Sequence, residues 1–103
     1  MHFAPNIKFL RKRRGRTQDD VAVALNLKRS TLSGYENGVA QPGIEVLVSF
    51  SRYFNMSIDT MLKIDMSKLS ESQLGELERG YDAYVKGSNM RVLTTTVNEY
   101  HQE

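Results

Sequence analysis

Along the first 64 residues apolar side chains recur at helical spacing, and nowhere do they alternate as a half-buried strand requires. Phe3, Ile7 and Leu10 fall on one stripe of a first helix, which Gly15 closes. Thr17 is an N-cap residue, and Asp19 and Asp20 behind it suit the positive end of a second helix. Val21, Ala22 and Leu25 form the apolar side of that helix, and Asn26 tolerates the left-handed backbone of a sharp turn. The pattern predicts a third helix from Arg29 to Glu36, stopped by Asn37-Gly38, and then a loop marked by Pro42-Gly43. A strongly apolar helix follows from Ile44 to Phe54, carrying Val46, Leu47, Phe50 and Phe54. Asn55 breaks it, and Ser57 caps a fifth short helix with Ile58, Met61 and Leu62. Residues 1–64 therefore read as an all-α unit of five helices.

Residues 65–103 have a different pattern. Asp65 to Leu69 is a connector, and Ser70 with Gln73 forms a capping box that opens a sixth helix to about Lys86. Gly87-Ser88-Asn89 reads as its stop. Met90 to Val97 is dense in β-branched residues and predicts a short β-strand tail with no obvious partner in the chain. On the sixth helix Leu74, Leu77, Tyr81 and Tyr84 are spaced 3, 4 and 3, an apolar seam along one side. Two readings of the seam stand. It is a homodimer interface completed by pairing of the strand through Val92, the preferred reading, or it packs onto the chain's own first 64 residues.

Composition removes several function classes. There are no cysteines, and His2 and His101 lie near the two ends, so a thiolate metal site, a zinc site inside the fold and a His-based catalytic dyad are not expected. Asp19 and Asp20 are not a catalytic carboxylate pair, since neighbouring helical residues point about 100° apart. No enzyme activity, metal or cofactor is expected. No apolar run approaches the roughly 18 residues of a membrane span, and a cytoplasmic location fits the cysteine count. The net charge of +2 conceals a split: residues 1–37 carry +5 and residues 38–103 carry −3. A basic first part suits a polyanion such as nucleic acid, although solvated surface charge would look the same.

The stretch from Thr17 to Gly38 joins these observations. Small Ala22 lets two helices cross closely, Asn26 supplies the turn, and Leu32 packs back into the angle between them. That arrangement holds the second helix of the pair where it can enter a DNA major groove. At about 100° per residue Leu32 and Tyr35 share the inner face of the third helix, and Arg29, Ser30, Ser33, Gly34 and Asn37 share the opposite one. Arg29 suits bidentate reading of guanine, and Ser30 and Ser33 donate to a base or a phosphate. Gly34 leaves room for close approach of DNA, or is simply a surface glycine. Gln18 begins the second helix, where backbone N–H groups favour a phosphate, and Thr17, Lys28, Arg14 and Arg16 are further candidate phosphate contacts or solvated charges.

The motifs Thr17-Gln18, Ala22 with Leu25, Ser30-Thr31-Leu32-Ser33 and Tyr35-Glu36-Asn37-Gly38, followed by Pro42, Leu47 and Ser57-Ile58-Asp59, resemble the lambda-repressor/Cro-like, XRE-type helix-turn-helix family over about residues 6–64. Asn26 stands where that family usually has a turn glycine, and Gly34 where it often has a long polar side chain. The resemblance implies a five-helix DNA-binding domain in which Gln18 and Asn37 clamp phosphates and Arg11 pairs with Glu36 as a partly buried structural ion pair. It implies a sequence-specific regulator of transcription, most often a repressor, bound to duplex DNA as a homodimer on a near-palindromic operator. An antitoxin-like or assembly role, with a protein as main partner, is the alternative. Residues 65–97 resemble more weakly the connector of repressors that continue into a LexA-like domain, which makes this chain the expected front part of a longer protein.

Overall fold

The computed structural model describes the backbone of residues 1–95 and the side chains of residues 1–87. The chain forms α1 (Phe3–Arg13), α2 (Gln18–Ala24), α3 (Arg29–Glu36), α4 (Ile44–Phe54), α5 (Ile58–Lys63), a 3-10 turn (Met66–Lys68) and α6 (Glu71–Thr95). The first five helices begin and end where apolar period and capping residues place them. Two asparagines take the left-handed backbone at helix ends, Asn26 at φ 58° and Asn55 at φ 55°. Thr17 and Asp20 form a reciprocal cap on α2: the Thr17 hydroxyl accepts from the Asp20 N–H at 3.0 Å, and the Asp20 carboxylate accepts from the Thr17 N–H at 2.9 Å. The Thr17 backbone N–H, and next its side chain, hold the Asp20 carboxyl below its usual pKa.

Phe50 of α4 is the hub of the core. It is fully buried, with Phe3 of α1 set edge-on at 5.6 Å and Tyr35 of α3 edge-on at 6.2 Å. Ile7, Leu10, Val21, Leu32, Phe54 and Met61 join this cluster, so the inner faces of α1 to α5 meet in one apolar centre.

A buried asparagine, which has no signature in the pattern, locks α1 to the end of α5. The Asn6 amide donates to the carbonyls of Met61 at 2.8 Å and Ile64 at 2.7 Å, and its oxygen accepts from the Met66 N–H at 3.1 Å. These backbone groups lie past the last helical bonds of α5 and have few other partners. Asn6→Ala is expected to cost about 2–3 kcal/mol by orphaning them, read as a lower urea midpoint at unchanged slope.

Residue 64 is not a packing boundary. Met66 and Leu74 are buried members of the same core, and Leu69 and Leu77 pack against it. The cap that opens α6 is the expected one, with Ser70 and Gln73 exchanging hydrogen bonds at 2.9 and 3.1 Å. Arg13 of α1 clamps the first turns of α6 by pairing with Glu71 at 3.0 Å and Glu78 at 2.8 Å. The hydrogen bond from Arg13 holds the Glu78 carboxyl below its usual pKa. That contribution to stability is present above the ordinary carboxylate range and is lost as pH falls through the lowered value.

Two expectations for the tail are corrected. The sixth helix does not stop at Gly87-Ser88-Asn89; it continues to Thr95, and Gly87 does not take the left-handed backbone that would end it. Residues 90–95 are therefore helical rather than a strand, because a helix satisfies N–H and C=O groups within the segment whereas a strand here has no partner among the described residues. Thr96 and Val97 lie outside the described residues, as does the side chain of Val92. The seam also divides. Leu74 is 1% exposed inside the chain's own core and so is not available to a second copy, Leu77 and Tyr81 are half-buried, and Tyr84 is 72% exposed.

Candidate nucleic-acid interface

The helix-turn-helix is built from α2, the left-handed turn at Asn26, and α3. The Leu27 N–H donates to the Ala22 carbonyl at 2.8 Å, closing the turn tightly over α2. Ala22 is 3% exposed at the crossing, and Leu32 is fully buried behind it. With Leu32 and Glu36 inside, α3 turns Lys28, Arg29, Ser30 and Asn37 outward, all of them exposed, with Ser33 and Gly34 half-buried beside them.

The inner side of α3 is fixed by charge as well as by packing. Arg11 donates twice to Glu36, from Nε at 2.7 Å and from Nη2 at 3.0 Å, and its Nη1 reaches the Arg16 carbonyl at 2.9 Å. This planar two-point contact leaves the Glu36 side chain 1% exposed. The ion pair implied by the resemblance is therefore present, and it is buried more deeply than implied.

Glu36 also reaches the outer surface through one further residue. The Gln18 amide donates to Glu36 Oε1 at 3.1 Å, and the Gln18 oxygen accepts from Arg29 Nε at 3.4 Å. The Arg29 guanidinium lies 3.8 Å from the carboxylate of Asp19. A line of contacts thus runs from buried Arg11 through Glu36 and Gln18 to exposed Arg29. Asp19 was legible only as a helix-start charge; its pairing with Arg29 crosses the turn and follows no regular spacing.

The remaining candidates separate by environment. Thr17 and Gln18 start α2, Lys28 is the residue before α3, and Arg16 is exposed between α1 and α2. Asn37 ends α3 and donates to Ser33 Oγ at 3.3 Å. Arg14 is turned toward α4 instead: it donates to the carbonyls of Tyr53 at 2.7 Å and Phe54 at 3.1 Å, and sits 5.8 and 5.4 Å from the centres of their rings. It neutralises the negative end of α4. At Gly34 a Cβ would meet only the Ala40 methyl at 3.8 Å, so nothing among the described residues demands glycine there.

This geometry defines a helix-turn-helix domain, and comparison with known proteins agrees. The helix-turn-helix family pattern matches residues 7–61, and the chain belongs to that family, in its XRE-type form. It is 33% identical over 75 residues to the HTH-type transcriptional regulator ImmR of Bacillus subtilis, covering 72% of this chain and 59% of that one. It is 33% identical over 61 residues to the uncharacterized HTH-type transcriptional regulator YqaE of the same organism, covering 59% and 53%. It is 32% identical over 62 residues to the HTH-type transcriptional activator BcrR of Enterococcus faecalis, covering 60% and 30%. The chain thus spans less than two thirds of the length of each of these relatives. No solved structure matches it significantly. Among the described residues no helix is long and apolar enough to cross a membrane.

Proposed function

We propose that this chain binds duplex DNA sequence-specifically and regulates transcription, with α3 in the major groove. The observation that carries the reading is the exposed Arg29-Ser30 pair at the start of a helix whose other face is fixed by Leu32 and the Arg11–Glu36 pair. Arg29, Ser30 and Ser33 read base edges, and Gly34 lets the duplex approach α3 closely. Gln18, Asn37, Thr17, Lys28 and Arg16 hold phosphates and set the register. Arg14, seated on the carbonyls of α4, is assigned to stability rather than to DNA.

Repression is the sign favoured by the resemblance to lambda-type regulators, and a homodimer on a near-palindromic operator is the matching geometry. Half-sites then lie about 34 Å apart on one face of the duplex. With Leu74 inside the core, Leu77, Tyr81 and Tyr84 are the part of the seam left for a two-fold contact.

Two substitutions test the division of labour. Arg29→Ala is expected to cost about 1–3 kcal/mol on the preferred sequence and to relax the preference at one base pair per half-site. Lys28→Ala, which removes an exposed charge with no side-chain contact to Arg29, is expected to weaken preferred and random duplexes alike. Equilibrium binding to both kinds of duplex decides it: an Arg29→Ala protein with an unchanged motif contradicts the assignment.

A further inference from the structure

Arg29 has two ways to satisfy its charge on DNA, a guanine edge or the nearest phosphate, and only the first carries sequence information. The side chain is long and 65% exposed, so α3 alone does not choose between them. Its surroundings on α2 do. Gln18, anchored on the buried Glu36, accepts from Nε at 3.4 Å, and the Asp19 carboxylate faces the guanidinium at 3.8 Å. We propose that Asp19 is a specificity-determining residue: it keeps the Arg29 guanidinium directed at a base edge and penalises the use of that guanidinium on the phosphate backbone.

The reasoning is electrostatic and deepens the DNA-binding reading on which it rests. A guanidinium drawn onto a phosphate would leave the Asp19 carboxylate facing the negative backbone without its counter-charge. That repulsion operates on every duplex. At the preferred site the guanidinium meets guanine N7 and O6, neutral acceptors beside which the carboxylate can keep its partner. Asp19 therefore lowers binding to random DNA more than binding to the operator. The neighbouring Asp20 carries the same charge but is held by the Thr17 N–H at 2.9 Å in the α2 cap, and it makes no contact with Arg29. It is the natural control for charge alone.

The experiment measures affinity for the selected motif and for random duplex, together with the selected motif itself, for the wild type, Asp19→Asn, Asp19→Glu and Asp20→Asn. Asp19→Asn is expected to bind random duplex more tightly, to lose at least about fivefold in the ratio of specific to random affinity, the low end of what a bidentate base contact supplies, and to relax the base pair read by Arg29. Asp19→Glu, which restores a carboxylate, is expected to recover the ratio. Asp20→Asn is expected to keep the wild-type motif. Thermal melting guards against misfolding, and the exposure of Asp19 predicts little change. An Asp19→Asn protein with the wild-type motif, or with no more loss of discrimination than Asp20→Asn, overturns the assignment while leaving the regulator reading intact. A wild type that selects no sequence overturns the regulator reading, and this inference with it.

Discussion

Glu36→Ala is expected to remove about 3–5 kcal/mol of folding stability, because it leaves the Arg11 guanidinium buried without its counter-charge. Arg11 would keep only the Arg16 carbonyl, and the Gln18 amide would lose its acceptor. A small domain holds about 5–15 kcal/mol in all, so this single change removes a large share of the margin. Replacing both partners with apolar residues of similar volume, Arg11→Met with Glu36→Leu, is expected to cost less than either single change, since no charge is then left unpaired. DNA affinity of the double variant should still fall, because Gln18 loses the anchor through which it holds Arg29. Urea denaturation followed by circular dichroism measures the first effect. A loss below about 1 kcal/mol for Glu36→Ala would place the pair among solvent-screened contacts, contrary to its 1% exposed carboxylate.

The second large effect is on binding. A dimer making about 6–10 phosphate contacts is expected to lose about 10³- to 10⁵-fold in affinity for duplex DNA between roughly 50 and 200 mM salt. Lys28→Ala should reduce the log–log salt slope by about one for each half-site contact removed. Arg14→Ala should leave the slope unchanged and lower the melting temperature instead, since its guanidinium is seated on the carbonyls of Tyr53 and Phe54. Titrations at several salt concentrations give all three values. A nearly flat response in the wild type would contradict binding through phosphate contacts.

The helices of the domain were legible because their signals are local. Thr17, Ser57 and Ser70 cap helices that the apolar period also marks, and Asn26 and Asn55 stand at the left-handed turns they favour. Ala22 and Leu32 announced the crossing of α2 and α3 for the same reason. The contacts that tie distant segments were not legible. Asn6 looks like any polar residue of a first helix until the end of α5 brings three backbone groups to it. Arg14 belongs to a basic run whose other members face solvent or carboxylates, and only tertiary packing shows that it caps α4. The tail shows the limit of propensity: Val92 and the threonines near it favour a strand, yet with no strand among the described residues to pair with, residues 90–95 continue the helix. Leu74 fits a dimer seam and a docked helix equally well in sequence, and its burial decides for the docked helix.

Selection from a pool of random duplexes tests sequence-specific recognition by α3 most directly. The protein is mixed with the pool at moderate salt, bound duplexes are recovered over several rounds, and the enriched sequences are compared with those retained by Arg29→Ala. Convergence of the wild type on a near-palindromic motif with half-sites about one helical turn apart, and loss of one defined base pair per half-site in Arg29→Ala, is the expected result. A wild-type protein that enriches no sequence, or an Arg29→Ala protein that enriches the same one, would contradict base reading by this helix.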